Sequence, residues 1–198
     1  NILLRAGTDV NLNSPVSNQA NVGVIAGRDI NQSGNVTVTN NIVFDAVRDI
    51  RLGLVDATNV GLNAGRNIVD GNGAALNIDA TNASLRAGVL IGNSDLASVD
   101  PGSNINAIDT AVDILAAEAG NGIYILEADD IVIDTVAAIS TGDVSRVNFR
   151  SDTTAVTGPS VAALSDLRSG GPIKLVTTNG SISVNDGLPA NGLGVEST

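Results

Sequence analysis

An asparagine recurs at positions 1, 21, 41, 59 and 82, and nine residues after each stands a branched apolar residue: Val10, Ile30, Ile50, Ile68 and Ile91. The five units read NILLRAGTDV, NVGVIAGRDI, NIVFDAVRDI, NVGLNAGRNI and NASLRAGVLI, and they begin 20, 20, 18 and 23 residues apart. A period near twenty that absorbs small insertions marks a solenoid, whose turns bury their apolar faces only against one another. A single unit cannot make a core, so the repeat restricts the chain to a stack. Function is then to be sought along a repeated surface and in the loops that leave it.

Within each unit the first, third and fifth positions after the asparagine are apolar, as in Ile42, Phe44, Ala46 and Val60, Leu62, Ala64. A period of two means a strand with one face inward. This register predicts Ile42, Phe44, Val60, Leu62, Leu85 and Ile91 in the core. It turns Leu3, Gly23, Val43, Gly61 and Ser84, with Arg5, Ile25, Asp45, Asn63 and Arg86, toward solvent. Gly7, Gly27, Gly65 and Gly88 follow the alanine where the chain must turn a corner, and Val47 breaks that column, which excludes an obligatory positive φ there or makes that turn locally different. A second short strand starts at Val10, Ile30, Ile50, Ile68 and Ile91, and a third precedes the next asparagine around Val36, Val55 and Ile78. Three short strands per coil of about 20 residues is the arithmetic of an all-β parallel β-helix. At the ordinary strand spacing of about 4.8 Å, roughly ten coils would make a rod on the order of 45 to 50 Å long.

The 198 residues read as one β-helix segment, with regular coils over 1–91 and less regular ones over 92–198. In the second part, TAVDI ending at Ile114 and EADDI ending at Ile131 echo the AGRDI corner. Larger loops are expected near 99–104 and 156–172, projecting from one side. Asn-Gly pairs at Asn72, Asn121, Asn179 and Asn191 predict turns. The chain opens inside a unit at Asn1 and closes on LPANGLGVEST without a polar cap, so it is expected to be a fragment of a longer protein. Open strand edges at its two ends are expected to make it associate end to end.

Chemistry narrows the function. The chain has no Cys and no His, which removes thiolate sites, the common proton shuttle and the common transition-metal ligand. Its net charge is −11. Seven acidic and six basic side chains fall in residues 1–88, against fourteen and four in 89–198, a balance that disfavours nucleic acid as a partner. No run approaches the roughly 20 apolar residues of a membrane span, so no membrane insertion is expected.

In a parallel stack Asn1, Asn21, Asn41, Asn59 and Asn82 would hydrogen-bond up and down a ladder, a structural role. Arg28, Arg48 and Arg66 would form a column compensated by Asp29 and Asp49, or else a basic strip for an anionic glycan. Asp129 and Asp130 are the pair to weigh for glycoside hydrolysis, and with Asp134 for calcium. The pair falls in a repeated corner motif without supporting His or clustered basic residues, and the glycine-rich nonapeptide of calcium β-rolls is absent, so neither catalysis nor a metal or cofactor is expected. Thr37 and Thr39 form one TxT that other units do not repeat, which argues against an ice-binding array.

LRAGTDV, VIAGRDI, LNAGRNI and LRAGVLI resemble the haemagglutinin-type repeats of filamentous-haemagglutinin-like secreted exoproteins, clearly over residues 1–91 and loosely beyond. The resemblance implies a right-handed β-helical shaft, exported by an outer-membrane partner and serving adhesion, aggregation and biofilm at the cell surface. The expected function is a non-enzymatic extracellular rod of an adhesin or surface filament. Its partners would be adjacent coils, copies of itself, and a cell-surface or glycan receptor. A purely structural fibre is one alternative, and a carbohydrate-active β-helix domain, lyase or hydrolase, is another.

Overall fold

The computed structural model describes residues 1–93, 106–147 and 153–198, and every regular element among them is a β-strand. In the first part these are Ile2–Ala6 (β1), Val10–Leu12 (β2), Val16–Ala26 (β3), Ile30–Gln32 (β4), Val36–Ala46 (β5), Ile50–Leu52 (β6), Val55–Ala64 (β7), Asn67–Asp70 (β8), Ile78–Ala87 (β9) and Leu90–Ile91 (β10). They pair in parallel across the repeat, not along it, as in a β-solenoid: Ile2 lies opposite Val22, Val22 opposite Ile42, Ile42 opposite Val60 and Val60 opposite Ala83. Ile42, Phe44, Val60, Leu62, Leu85 and Ile91 are fully buried. Arg5 is exposed, whereas Asp45, Asn63 and Arg86 lie outside the stack but half-buried. A one-residue slip would have reversed all of these.

The strand expected before each asparagine is not separate from the one after it. β3, β5, β7 and β9 run through the asparagine without a break, and the pairing of β3 with β5 slips between Val16 and Asn21, that of β5 with β7 between Thr37 and Asn41. Such irregularities bend a strand and carry it from one face of the stack to the next.

The corner glycines serve a different need from the one their type suggests. None of Gly7, Gly27, Gly65 and Gly88 has a positive φ. A Cβ on Gly27, Gly65 or Gly88 would instead collide with the carbonyl oxygen of the residue one level above: Gly7, Val47 and Gly65 in turn. Close approach of stacked backbones therefore selects glycine. Val47 answers with a longer contact, its amide donating to the Ala26 carbonyl at 3.2 Å where Gly27, Gly65 and Gly88 make the same bond at 2.9 to 3.0 Å. Its side chain points away, 66% exposed.

The second part continues with Ile108–Ala119 (β11), Gly122–Glu127 (β12), Ile131–Ile133 (β13), Ile139–Ser140 (β14), Asp143–Val147 (β15), Thr153–Thr157 (β16), Ser160–Val161 (β17), Leu167–Ser169 (β18), Ile173–Thr177 (β19), Ile182–Val184 (β20) and Val195–Ser197 (β21). One column reads Leu4, Val24, Phe44, Leu62, Leu85, Ala117, Leu167, Val195, so the described residues make eight levels, not ten. TAVDI and EADDI are not glycine corners: Ile114 stands opposite Asn82 and Val132 opposite Ile114, which places both motifs at the asparagine bend. The glycine corner continues instead at Gly120 and Gly170. The loop expected near 99–104 lies outside the described residues.

The missing levels went into a hairpin. Between Ile133 and Leu167 the chain leaves the stack and returns, and Val136 with Leu164, β14 with β17, and β15 with β16 pair antiparallel in one unbroken register. The expectation of a loop over 156–172 that projects from the stack is therefore corrected. This hairpin folds back along the outside, where Val136, Ile139, Val161 and Leu164 pack with Ile114, Ala116 and Val43. The row Gly23, Val43, Gly61 and Ser84, read from alternation as solvated, is buried beneath it. Alternation tells which side of a strand a residue faces, and a second layer can still cover the outer side.

Candidate functional site

Three surfaces concentrate polar chemistry, and each is built by the stacking. The first is the asparagine column. Asn21 Nδ2 donates to Asn1 Oδ1 at 2.8 Å, Asn59 Nδ2 to Asn41 Oδ1 at 2.8 Å, and Asn82 Nδ2 to Asn59 Oδ1 at 2.9 Å. At Asn41 the ladder changes partner. Its backbone amide donates to Asn21 Oδ1 at 3.1 Å, while its side-chain amide turns to the Ser140 carbonyl of the hairpin at 2.8 Å. Asn1 Nδ2 likewise meets the carbonyls of Thr141 and Asp143, both at 3.3 Å. The column thus joins level to level and also fastens the hairpin.

The second is the AGRDI corner. Arg28 binds Asp9 on the level above and Asp29 on its own, Arg48 does the same with Asp29 and Asp49, and Arg66 reaches Asp49. The same aspartates accept backbone amides from the next level, Asp29 N to Asp9 at 3.2 Å and Asp49 N to Asp29 at 3.2 Å. The Arg28 guanidinium holds the half-buried Asp9 carboxyl below its usual range. Arg28 and Arg48 are each compensated by two carboxylates and Arg66 by one.

The third is an acidic groove of about 330 Å³ whose carboxylates are Asp56, Asp79, Asp113 and Asp129. Asp56 and Asp79 are paired neighbours on successive levels. Burial first, then the charges of Asp56 and Asp129, push the Asp79 carboxyl up. Of the two carboxylates weighed above for glycoside hydrolysis, Asp129 lines this groove, while Asp130 accepts the Ser181 amide at 2.6 Å, as Asp9 and Asp29 do on their levels. Asp134 is bound elsewhere, by Asn185 Nδ2 and the Thr135 amide, which hold its carboxyl low. No group of three or more acidic side chains among the described residues is arranged to hold a metal ion.

Sequence reasoning missed two interior carboxylates. Glu127 is fully buried and accepts hydrogen bonds from Thr110 Oγ1 at 2.7 Å and from the amides of Ala128 and Val112 at 2.9 and 3.2 Å. Burial raises its carboxyl and these bonds oppose the rise. The alternation of Ile123, Ile125 and Glu127 carried the signal, since all three point inward. Asp109 is buried at a corner near Asn77 and Asp70, without any alternation to mark it.

The trough under the hairpin depends on small residues. A Cβ on Gly61 would lie 2.5 Å from Val161 Cγ2, and one on Gly23 would collide with Pro159. Gly61→Leu is therefore expected to lift the hairpin, with an overpacking cost of about 1 to 3 kcal/mol, which raises the detached population roughly 5- to 150-fold. Amide hydrogen exchange at Val136 and Leu164 measures it. Unchanged protection would mean that the hairpin is not held by this fit.

No protein-family model matches the chain, and no curated protein or solved structure matches it. Among the described residues no helix is long and apolar enough to cross a membrane.

Proposed function

We propose that the chain is a non-enzymatic extracellular rod: a right-handed parallel β-helix of about 20 residues and three short strands per coil, forming a shaft segment of a large secreted adhesin or surface filament of the filamentous-haemagglutinin-like kind. The observation that carries this reading is the direction of its polar contacts. The recurrent asparagine, arginine and aspartate side chains bond along the stack axis from one level to the next. Side chains committed in this way hold a shaft rigid, and they are not free to converge on a substrate. The hairpin that straps the outside adds a second layer to one face, which suits a fibre that bears load or carries a receptor-binding surface. A cell-surface glycan or protein would be its receptor, and an outer-membrane transporter its export partner.

One observation favours a second reading. The acidic groove with Asp79 and Asp129, where Asp79 has a raised carboxyl, has the composition of a carbohydrate-active β-helix site, in which one carboxyl protonates while another activates water. A single pair of assays separates the two. Beads coated with the chain are expected to adhere to epithelial cells, while incubation with acidic polysaccharides releases no reducing ends. Release that disappears in Asp79→Asn and Asp129→Asn would replace the rod reading with the enzymatic one.

A further inference from the structure

The asparagine ladder does not use all of its hydrogen-bonding groups. A side-chain amide carries two donor hydrogens and an acceptor oxygen. Asn59 Nδ2 and Asn82 Nδ2 each make one bond, to the side-chain oxygen of the asparagine above, and each keeps a second hydrogen. The column then ends, because Ile114 stands where the next asparagine would. With no amide below to donate to it, Asn82 Oδ1 has no partner among the described residues.

These groups line a slot. A cavity of about 340 Å³ lies between Asn41, Asn59 and Asn82 on one side and residues 135–139 of the hairpin on the other. Contacts within the chain close both of its ends: the bond from Asn41 Nδ2 to the Ser140 carbonyl at one, and the packing of Ile114 with the hairpin at the other. Between them Ala137 and Ala138, exposed and part of no strand, line the wall opposite the amides. At Asn1 and Asn41 the amide reaches the hairpin backbone directly. At Asn59 and Asn82 the same gap stays open.

We propose that this slot binds a neutral glycan, whose hydroxyls bridge the gap that Asn1 and Asn41 close by direct bonds. The inference rests on the reading of the chain as an adhesive rod, and between the two kinds of receptor it selects the saccharide.

The lining selects this chemistry. No Asp, Glu, Lys or Arg takes part in it, so a charged group entering the slot would lose hydration without gaining a counter-charge. A hydroxyl both donates and accepts, and it therefore satisfies the spare amide hydrogens and Asn82 Oδ1 alike. The amides repeat at the level spacing of about 4.8 Å, close to the advance of one ring along an extended β-linked glycan. Adjacent rings thus meet Asn59 and Asn82 in equivalent ways. An extended peptide fits less well, because its recognition takes specificity from pockets for alternate side chains. The walls offer none, since Val136 and Ile139 are turned into the packing beneath the hairpin. The slot also lacks any group able to give or take a proton at neutral pH, so it holds a glycan without cleaving it.

An array of neutral oligosaccharides with their sialylated and sulfated counterparts tests the proposal. Wild type is expected to retain neutral glycans, and titration with a retained sugar is expected to shift the side-chain amide resonances of Asn59 and Asn82. Ala138→Leu fills the slot from an exposed position and is expected to weaken retention roughly tenfold. Ala162→Leu, exposed on the other strand of the hairpin and outside the slot, leaves it unchanged. Circular dichroism confirms that both variants keep their strands. Retention of anionic glycans alone, of no glycan at all, or of neutral glycans equally by Ala138→Leu overturns the proposal. Adhesion of coated beads separates this failure from that of the adhesive reading. Beads that adhere equally with wild type and Ala138→Leu keep the adhesive reading and overturn the slot, whereas neutral glycan retained through the slot without adhesion does the reverse. Adhesion lost in Ala138→Leu with no glycan retained assigns the slot to a peptide and overturns the saccharide.

Discussion

Phe44→Ala is expected to destabilise the chain by about 3 to 5 kcal/mol, the largest effect of any single side-chain truncation here. Phe44 is the bulkiest of the fully buried side chains, packed in a column between Val24 and Leu62 on the adjacent levels. The cavity it leaves cannot close easily. Both flanking strands are held in register by parallel ladders, and the outer side of the same strand carries Val43, itself fixed beneath the hairpin. Leu62→Ala in the neighbouring level should cost about 2 to 5 kcal/mol for the same reason. Because each level of a stack touches only its neighbours, the loss is expected to loosen Val24 and Leu62 before the distant levels. Urea denaturation gives the size of the effect, and native-state hydrogen exchange gives its location. Val47→Ala, at an exposed site three residues away, is the control and should change stability by no more than about 0.5 kcal/mol. Equal losses at Phe44 and Val47 would contradict the packing described.

The core and the axial polar columns were legible because a stack repeats its environment, and a repeated environment selects the same residue type each time. Phe44 and Leu62 could be placed inside and Arg5 outside from a period of two. The asparagine and arginine-aspartate columns could be seen as columns from a period near twenty. What covers the outer face could not be read in the same way. The small residues Gly23, Gly61, Ser84 and Ala116 were the sign of a covered row, but alternation alone assigns them to solvent. Their cover comes from Val136, Ile139, Pro159, Val161 and Leu164, more than fifty residues away from most of them, through antiparallel pairing that no repeat announces. The phase of the second part was lost at Ile114, where an apolar residue takes the asparagine's place and makes TAVDI look like a corner. Glycine was ambiguous for a related reason. Positive φ and close backbone approach both select it, and only the position of the carbonyl one level above separates them. In the acidic groove Asp129 was legible from its pair, whereas Asp56, Asp79 and Asp113 came together only through the register of successive levels.

The chain is expected to gain stability as pH falls from about 7 to about 4.5, which is unusual for a protein rich in carboxylates and follows from where Asp109 sits. It is 9% exposed, and burial first, then the charge of Asp70, raise its carboxyl to about 6 from an ordinary value of 3.8. Between those two values the folded chain holds a proton that the unfolded chain has released. Stability therefore declines as pH rises through this window, and the penalty is complete above about pH 6. A carboxyl raised from 3.8 to about 6 corresponds to about 3 kcal/mol. Asp79 and Glu127 are raised as well and act in the same direction. Asp9 and Asp134 oppose them. Their lowered carboxyls contribute stability above the ordinary carboxylate range that is lost only at more acid pH, and screening by the solvent that reaches both keeps the contribution small. Melting temperature should consequently pass through a maximum on the acid side of neutrality. Asp109→Asn keeps the side chain's shape and leaves intact the bond from its own backbone amide to Asn77 Oδ1 at 2.9 Å. It is expected to stabilise the chain at pH 7 by up to about 3 kcal/mol and to flatten the slope between pH 4 and 6. General repulsion within the acidic chain would slope the wild-type curve the same way, but it would survive the substitution nearly unchanged. A variant with the wild-type slope would therefore move the cause from Asp109 to Asp79, to Glu127 or to the net charge.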